Sequence, residues 1–505
     1  MKLGKNLLAG LASSIWTAVI GLAVVPLYLK YLGIESYGLI GFFATTQALI
    51  GLLDMGMAPT INREVARCSA LGSLKEAGKL LHTLAIIYWT VAGLIVVLAI
   101  LFAPLIAEHW LKSKQLSLET LSHALMLMGL VVACRWPIGL YQGALMGAQR
   151  LTISSCVSIV MVTFGNLGAV VVLAYISPTI EAFFIWQAGV GLVYAATMRW
   201  AAWRVVGRIK TIRFDAKEFK RVWRFSAALS GVALSAIILT QLDKIILSKM
   251  ISLAEFGQYT LATVVVGALY ILILPMFNIV FPRLSTLVVT GDVDKLTNFY
   301  RLSTRILATL LFPVAMILVV FGEQLVLIWT GNQRISMSVS PIISLLAIGS
   351  ALHGVMYLSY ALQLAYGMTK LPLIINTVLT IVLVPLIIFF ALHYGVLGGA
   401  MAWLLFQILY LLFGTWLTHR YLLKDTGVKW LLQDVGIPFV LSVFVGLAAY
   451  YLVQETELAS YVKLLLGCGF ALITIFLSII ILPRNIKVVL LNNISYLKKI
   501  EPNQT

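Results

Sequence analysis

Runs of roughly twenty or more apolar residues, separated by short polar or charged connections, recur along the whole chain. A hydrocarbon core of about 30 Å is crossed by roughly 20 helical residues, so each run predicts a membrane span. On that ruler fourteen spans fall at about 7–29, 36–57, 81–106, 121–146, 152–175, 180–200, 225–248, 258–281, 301–321, 340–365, 371–392, 396–418, 433–453 and 461–482. The expected fold class is an all-α polytopic membrane protein. Lys2 and Lys5 precede the first run as in a secretion signal. That run is about 22 residues long and has no A-x-A cleavage pattern, so it predicts a transmembrane helix instead. The loops are short, and none holds a soluble domain.

Composition agrees with this pattern: 61% of the 505 residues are hydrophobic, 11% are charged, and the mean hydropathy is +1.00. The net charge of +17 would point to nucleic acid in a soluble protein, so its distribution decides. With a cytoplasmic N-terminus, about 28 Lys and Arg fall on the inside and about 6 on the outside, which sets both termini in the cytoplasm. The charge is then a topology signal and an attraction to anionic headgroups, and nucleic acid is not expected as a partner. Cys68, Cys134, Cys156 and Cys468 form no CxxC pair and no metal-ligand ladder, so no metal site or cofactor is expected.

The most basic stretch, 198–225, divides the first twelve spans into six and six. An offset of about 219 to 220 residues brings Tyr37-Gly38 onto Phe256-Gly257, Arg63 onto Arg283, and Gly147 to Leu151 onto Gly367 to Leu371. The expectation is two six-helix bundles related by a pseudo-two-fold repeat, residues 1–210 and 211–424, with two additional transmembrane helices and a tail in 425–505. Parallel repeats of this kind place a substrate route between the bundles.

Enzymatic chemistry has no visible apparatus. Gly72 to Lys79 approaches a phosphate loop, but its glycines are one residue too far apart and Leu80 stands where the magnesium-binding Ser or Thr belongs. No HExxH, GxSxG or paired-carboxylate arrangement occurs, and no catalytic residue is expected. What remains is the set of ionisable groups at membrane depth, which face a partner or a wet cavity. Arg135 lies about 14 residues, or roughly 21 Å, into the fourth span, and Trp136-Pro137 behind it opens the helix backbone. It is the leading cavity residue, with satisfaction by helix carbonyls as the alternative. His353 is its loose counterpart in the repeat. Tyr141, Gln142, Tyr357, Tyr360 and Gln363 add polar tips on the same two helices. Asp54 reads as a helix exit near the cytoplasmic end of the second span, with ion coupling as its functional alternative. Asp243 and Lys244 approach the outside interface, where Lys244 can snorkel to headgroups and Asp243 is the better inward-facing group. Their counterparts in the first half, within Ala23 to Val25, carry no charge, so the pair reads as an asymmetric feature of a gate or exit route.

The opening LLAGLASSIWTAVIGLAVVPLYLKYLGIESYGLIGF and the passage TQLDKIILSKMISLAEFGQYTLA, with fourteen spans and the six-plus-six repeat, resemble the Wzx-type polysaccharide flippases of the MATE-like MOP exporter superfamily. The resemblance covers nearly the whole chain. It implies a transporter, not an enzyme, in the bacterial inner membrane. Its substrate would be an undecaprenyl-pyrophosphate-linked oligosaccharide, an O-antigen or related repeat unit, moved from inner to outer leaflet by alternating access. It also implies a polysaccharide polymerase and a chain-length regulator as partners, and coupling to a proton or sodium gradient, for which Asp54 and Asp243 are the candidate carboxylates of this chain. Arg135, with Lys244 and Asp243 behind it, carries over as the cationic lumen that meets pyrophosphate, because phosphate oxygens accept charge-assisted hydrogen bonds.

Three rivals stay open. A multidrug antiporter of the same fold would stop at twelve spans and carry deep acids. A lipid II flippase differs only in substrate. A membrane polysaccharide polymerase would want a large outside loop with clustered charge.

Overall fold

The computed structural model describes residues 2–207, 240–424, 426–454 and 456–480. Among these residues the regular elements are helical, and strand-type pairing is confined to one isolated bridge between Lys112 and Ser252. Among the described residues eleven segments are long and apolar enough to cross a membrane. In lipid every backbone polar group must be satisfied within the segment, and a helix does this at each residue. The chain forms two compact units, Met1–Gly257 and Gln258–Thr505. The basic stretch expected to divide the bundles lies mostly in 208–239, outside the described residues, as does most of the seventh expected span.

The first unit contains α1 (Lys2–Ile50), α2 (Met57–Ala70), α3 (Leu74–His109), α4 (Leu118–Arg135), α5 (Ile138–Gly147), α6 (Leu151–Tyr175), α7 (Ile180–Val206) and the start of α8 (Leu253–Val266). The first expected span and most of the second are in α1, which kinks at Gly33, where φ is 78° and a side chain would be strained. The fourth span is α4 and α5, separated at Trp136-Pro137. Glycines let two of these helices meet at the backbone. A Cβ on Gly143 would lie 2.6 Å from the Ala58 carbonyl oxygen, and one on Gly147 would lie 2.3 Å from that of Asn62. α5 and α2 therefore lock together, and Ile61, Leu81, Leu84, Leu140, Ala144, Leu145 and Ala202 bury their side chains completely around them. The repeat-related glycines Gly38 and Gly257 also meet: a Cβ on Gly257 would be 3.1 Å from the Gly38 nitrogen and 2.2 Å from the Ile34 carbonyl oxygen.

The second unit continues with α9 (Tyr270–Thr290), α10 (Val293–Thr330), α11 (Gln333–Ala365), α12 (Lys370–Leu409), α13 (Thr415–Leu422), α14 (Ile437–Ala449) and α15 (Ser460–Ile480). α12 holds the eleventh span and the start of the twelfth, joined at Gly395, where φ is 55°. A π-helical turn, Tyr410–Gly414, leads from α12 into α13. α14 and α15, the two spans outside the repeat, pack on α10, with Gly446 against Met316 and Gly467 against Phe321. Their approach is fixed by polar ties. Arg301 grips Asp434 with Nε at 2.6 Å and Nη2 at 3.3 Å. Trp430 Nε1 donates to Thr304 at 3.0 Å, and its ring stacks on Tyr300.

Candidate functional site

α4 ends at Arg135 because Pro137 has no N–H to continue the helical ladder. The break leaves the half-buried Arg135 side chain at membrane depth among α1, α6 and α7. Its Nη2 donates to Gln187 Oε1 at 2.6 Å. Gln187 is buried on α7 and holds its amide by donating from Nε2 to the Gly165 carbonyl at 3.5 Å. One turn further along α7, Gly191 leaves room for the arginine stem, since a Cβ there would come within 3.3 Å of Arg135 Cγ. The guanidinium carbon lies 5.8 Å from the centre of the Phe43 ring. Among the described residues no carboxylate pairs with it. A guanidinium has five N–H donors, and Gln187 takes one. The arrangement pins the stem and leaves a cationic fork suited to a bidentate oxyanion such as phosphate.

A second break lies at the same level. Met55 (φ 45°) and Gly56 (φ 73°) interrupt the helical path between α1 and α2. Asp54 Oδ2 accepts the Ala58 N–H at 3.3 Å and so caps α2, while Tyr88 on α3 donates its hydroxyl to Asp54 Oδ1. The Tyr88 ring lies 5.7 Å from that of Trp136, the residue at the other break. Asp54 is thus the last residue of the helical path before the break, the helix exit its sequence position suggests. The helix restarts as α2, whose contact with α5 sets Asp54 level with Pro137. On α2 the buried Glu64 takes hydrogen bonds from the exposed Arg63 at 3.2 Å and Arg67 at 3.0 Å, and its side chain holds the Arg67 guanidinium above its ordinary pKa.

The other expected site residues fall in several places. Gln142 Nε2 donates to the Tyr194 hydroxyl at 3.1 Å, and that hydroxyl bonds Ser158 Oγ at 2.6 Å, a neutral polar cluster below Arg135. Tyr141 is fully buried and accepts a hydrogen bond from Trp89, so it packs within the α2 and α5 core. Asp243 is 4% exposed, in keeping with an inward position. Lys244 Nζ donates to the Thr240 carbonyl at 3.3 Å and to Gln241 Oε1 at 3.5 Å, one turn back along its own helix.

In the second unit, His353 Nδ1 is 2.8 Å from the Tyr270 hydroxyl, and the rings of Tyr357, Trp403 and Tyr410 surround it. Tyr360 stacks on Phe277 at 6.1 Å. Gln363 is buried and donates to Thr418 Oγ1 at 2.6 Å, which ties α11 to α13 and keeps it from any cavity. Sequence reasoning passed over Gln187, Tyr88, Tyr194 and Tyr270. Gln187 carried a usable signal as the one glutamine inside the sixth expected span. Among the described residues, no three His, Cys, Asp or Glu side chains converge as metal ligands do.

Comparisons with known proteins agree with this architecture. Residues 3–288 match the model of a family described as polysaccharide biosynthesis protein. A "Putative O-antigen transporter" of Shigella flexneri is 22% identical over 401 residues, covering 77% of this chain and 91% of that protein. Among solved structures, the lipid II flippase MurJ in an inward closed conformation superposes with a TM-score of 0.68 at 17% identity, covering 92% of this chain and 97% of the other. An inward-facing multidrug resistance MATE family transporter of the MOP superfamily gives 0.63 at 16% identity, covering 80% and 95%. At these identities the structural likeness establishes the fold, a MurJ- and MATE-like helical membrane fold.

Proposed function

Because the chain belongs to the polysaccharide biosynthesis protein family, we propose that it flips an undecaprenyl-pyrophosphate-linked oligosaccharide, an O-antigen or related surface-glycan unit, across the bacterial inner membrane. The family and the fold are those of membrane transporters, not of enzymes. A headgroup of sugars and pyrophosphate cannot enter hydrocarbon unaided, so a polar path through helices lowers the barrier while the prenyl tail stays in lipid. The observation that carries the reading is Arg135, a cation at membrane depth with a pinned stem and four N–H donors beyond the one given to Gln187. Neutral alternatives at that position would avoid the penalty of a buried charge, and an anionic ligand is the partner that offsets it.

Coupling to a proton or sodium gradient is assigned in this reading to Asp54. Its carboxylate joins two helix breaks through Tyr88 and Trp136, so a cation bound there would act on both. The test is complementation of a flippase-null strain, with surface glycan measured against membrane protein level. Arg135→Ala at normal expression should abolish surface glycan, and Arg135→Lys should restore part of it. Full glycan assembly by Arg135→Ala would remove the cationic role and with it this reading of the site.

A further inference from the structure

A cleft of about 620 Å³ opens in the second unit between the first turns of α12 and the helix that follows the π-turn. Its volume falls within the roughly 300–1,000 Å³ range of small-molecule sites. Two walls face each other. Leu371 and Ile374 form one, a turn apart on α12; Phe413, Leu417 and Tyr421 form the other, at successive four-residue steps. The connection Gly367-Met368-Thr369 closes the end, and Lys370 stands at its rim.

The sequence explains why the walls part. Gly414 packs on Ile375, where a Cβ would meet Ile375 at 3.6 Å, and Tyr410 reaches Asn376 at 3.5 Å, so the two helices touch at that level. The π-turn at Tyr410–Gly414 adds a residue to the turn, and the cleft lies on the Lys370 side of that contact. The outer surface around it is apolar: Ile374, Trp416 and Tyr421 are more than half exposed. Such a surface faces acyl chains. The same end carries Lys370, Arg420, Lys424 and Lys429, which the excess of inside charge sets at the cytoplasmic leaflet. Lys370 is exposed, and among the described residues no carboxylate pairs with it.

We propose that this cleft is a binding site for an anionic phospholipid of the cytoplasmic leaflet, with its phosphate against Lys370 and an acyl chain between the Leu371–Ile374 and Phe413–Leu417 walls. The tyrosine at its rim supports the same placement, because an amphipathic ring suits the level of the headgroups. The site lies within one unit and takes no residue from the Arg135 cluster, so it is independent of how substrate is held.

Native mass spectrometry of the purified full-length protein tests this, with phosphatidylglycerol and phosphatidylcholine as probes at equal concentration. The wild-type protein should retain phosphatidylglycerol in preference. Lys370→Glu should lower that preference by at least about fivefold, the loss expected for a cationic contact near the surface. Leu417→Trp, which fills the cleft, should lower retention of both lipids. Size-exclusion profiles and melting in lipid-free detergent check that both variants fold. Unchanged preference in Lys370→Glu would overturn the headgroup assignment, and unchanged retention in Leu417→Trp would overturn the cleft as its seat. Displacement of phosphatidylglycerol by an equal concentration of a polyprenyl phosphate would show that the cleft serves the carrier lipid, and would overturn the proposal as well.

Discussion

The fourth span of the first unit and its repeat counterpart in the second solve one structural problem in opposite ways. α4 and α5 break at Trp136-Pro137, and Arg135 sits at the break. α11 runs for 33 residues through the matching sequence positions, where an offset of 220 puts Val355 against Arg135 and Tyr357 against Pro137. Val355 is fully buried, and the polar group nearby, His353, is satisfied by Tyr270 and ringed by aromatic side chains. The repeat thus preserves where helices go, but not the charge they carry. One unit offers a cation with spare donors at a helix break, whereas the other offers neutral hydrogen bonds and ring faces on a continuous helix.

The strongest way to break this comparison is to remove each side's central group. Hydrogen bonds to charged groups contribute about 1.5–3 kcal/mol, so Arg135→Ala should reduce surface glycan by at least about tenfold at equal protein level. His353→Ala should reduce it by less than about threefold. Equal losses would mean that charge is not what separates the units. Gln187→Leu sharpens the point, because it frees the guanidinium without removing it. Its effect should fall between the other two, with Gln187→Glu worse than Gln187→Leu, since a carboxylate would neutralise the cation that the ligand needs.

The next effect is on stability. In Gly147→Val the new side chain would have to enter a space where a Cβ already comes within 2.3 Å of backbone oxygen, and backbone cannot rotate away. α5 and α2 should separate at a penalty of about 1–3 kcal/mol, read as a lower melting temperature and reduced membrane yield. Gly469→Ala on α15 is the matched control in the second unit. Nothing lies within 4 Å of its Cβ position, and alanine favours the helix by about 1 kcal/mol, so its melting temperature should hold or rise.

How much of this was legible in the sequence follows from what each feature depends on. The spans were legible because lipid demands length and apolarity, both local properties. The contact of Gly38 with Gly257 left a trace as a match at the repeat offset, since close backbone approach admits no other residue at either position. Arg135 stood out because charge at that depth is rare. Its partner did not, since Gln187 follows 52 residues later and only packing brings it near. Asp54 was legible as a helix exit, but its partner Tyr88, 34 residues later, was not. The helix that restarts after it buries Met57, Ile61, Val65 and Cys68 and leaves Arg63 and Arg67 exposed. Gln363 and Tyr141 looked like lining groups by type, and three-dimensional partners made them internal ties.

The smallest expected effect separates a hinge from ordinary packing. Tyr88→Phe removes the hydroxyl that Asp54 accepts, and Tyr270→Phe removes the one that meets His353. Each deletes one hydrogen bond with little loss of volume, so each should lower stability by only about 1 kcal/mol. Their effects on transport should differ. Tyr88 spans two helix breaks, at Met55-Gly56 and at Trp136-Pro137, and its loss changes the balance between the arrangements those breaks allow. Tyr270 supports a histidine on an unbroken helix, where no second arrangement is at hand. Surface glycan should therefore fall about two- to threefold in Tyr88→Phe and stay at the wild-type level in Tyr270→Phe, with matched melting temperatures. If the two variants behave alike in both measurements, the paired breaks are a fixed feature of the first unit's packing, and the difference between the units reduces to Arg135 alone.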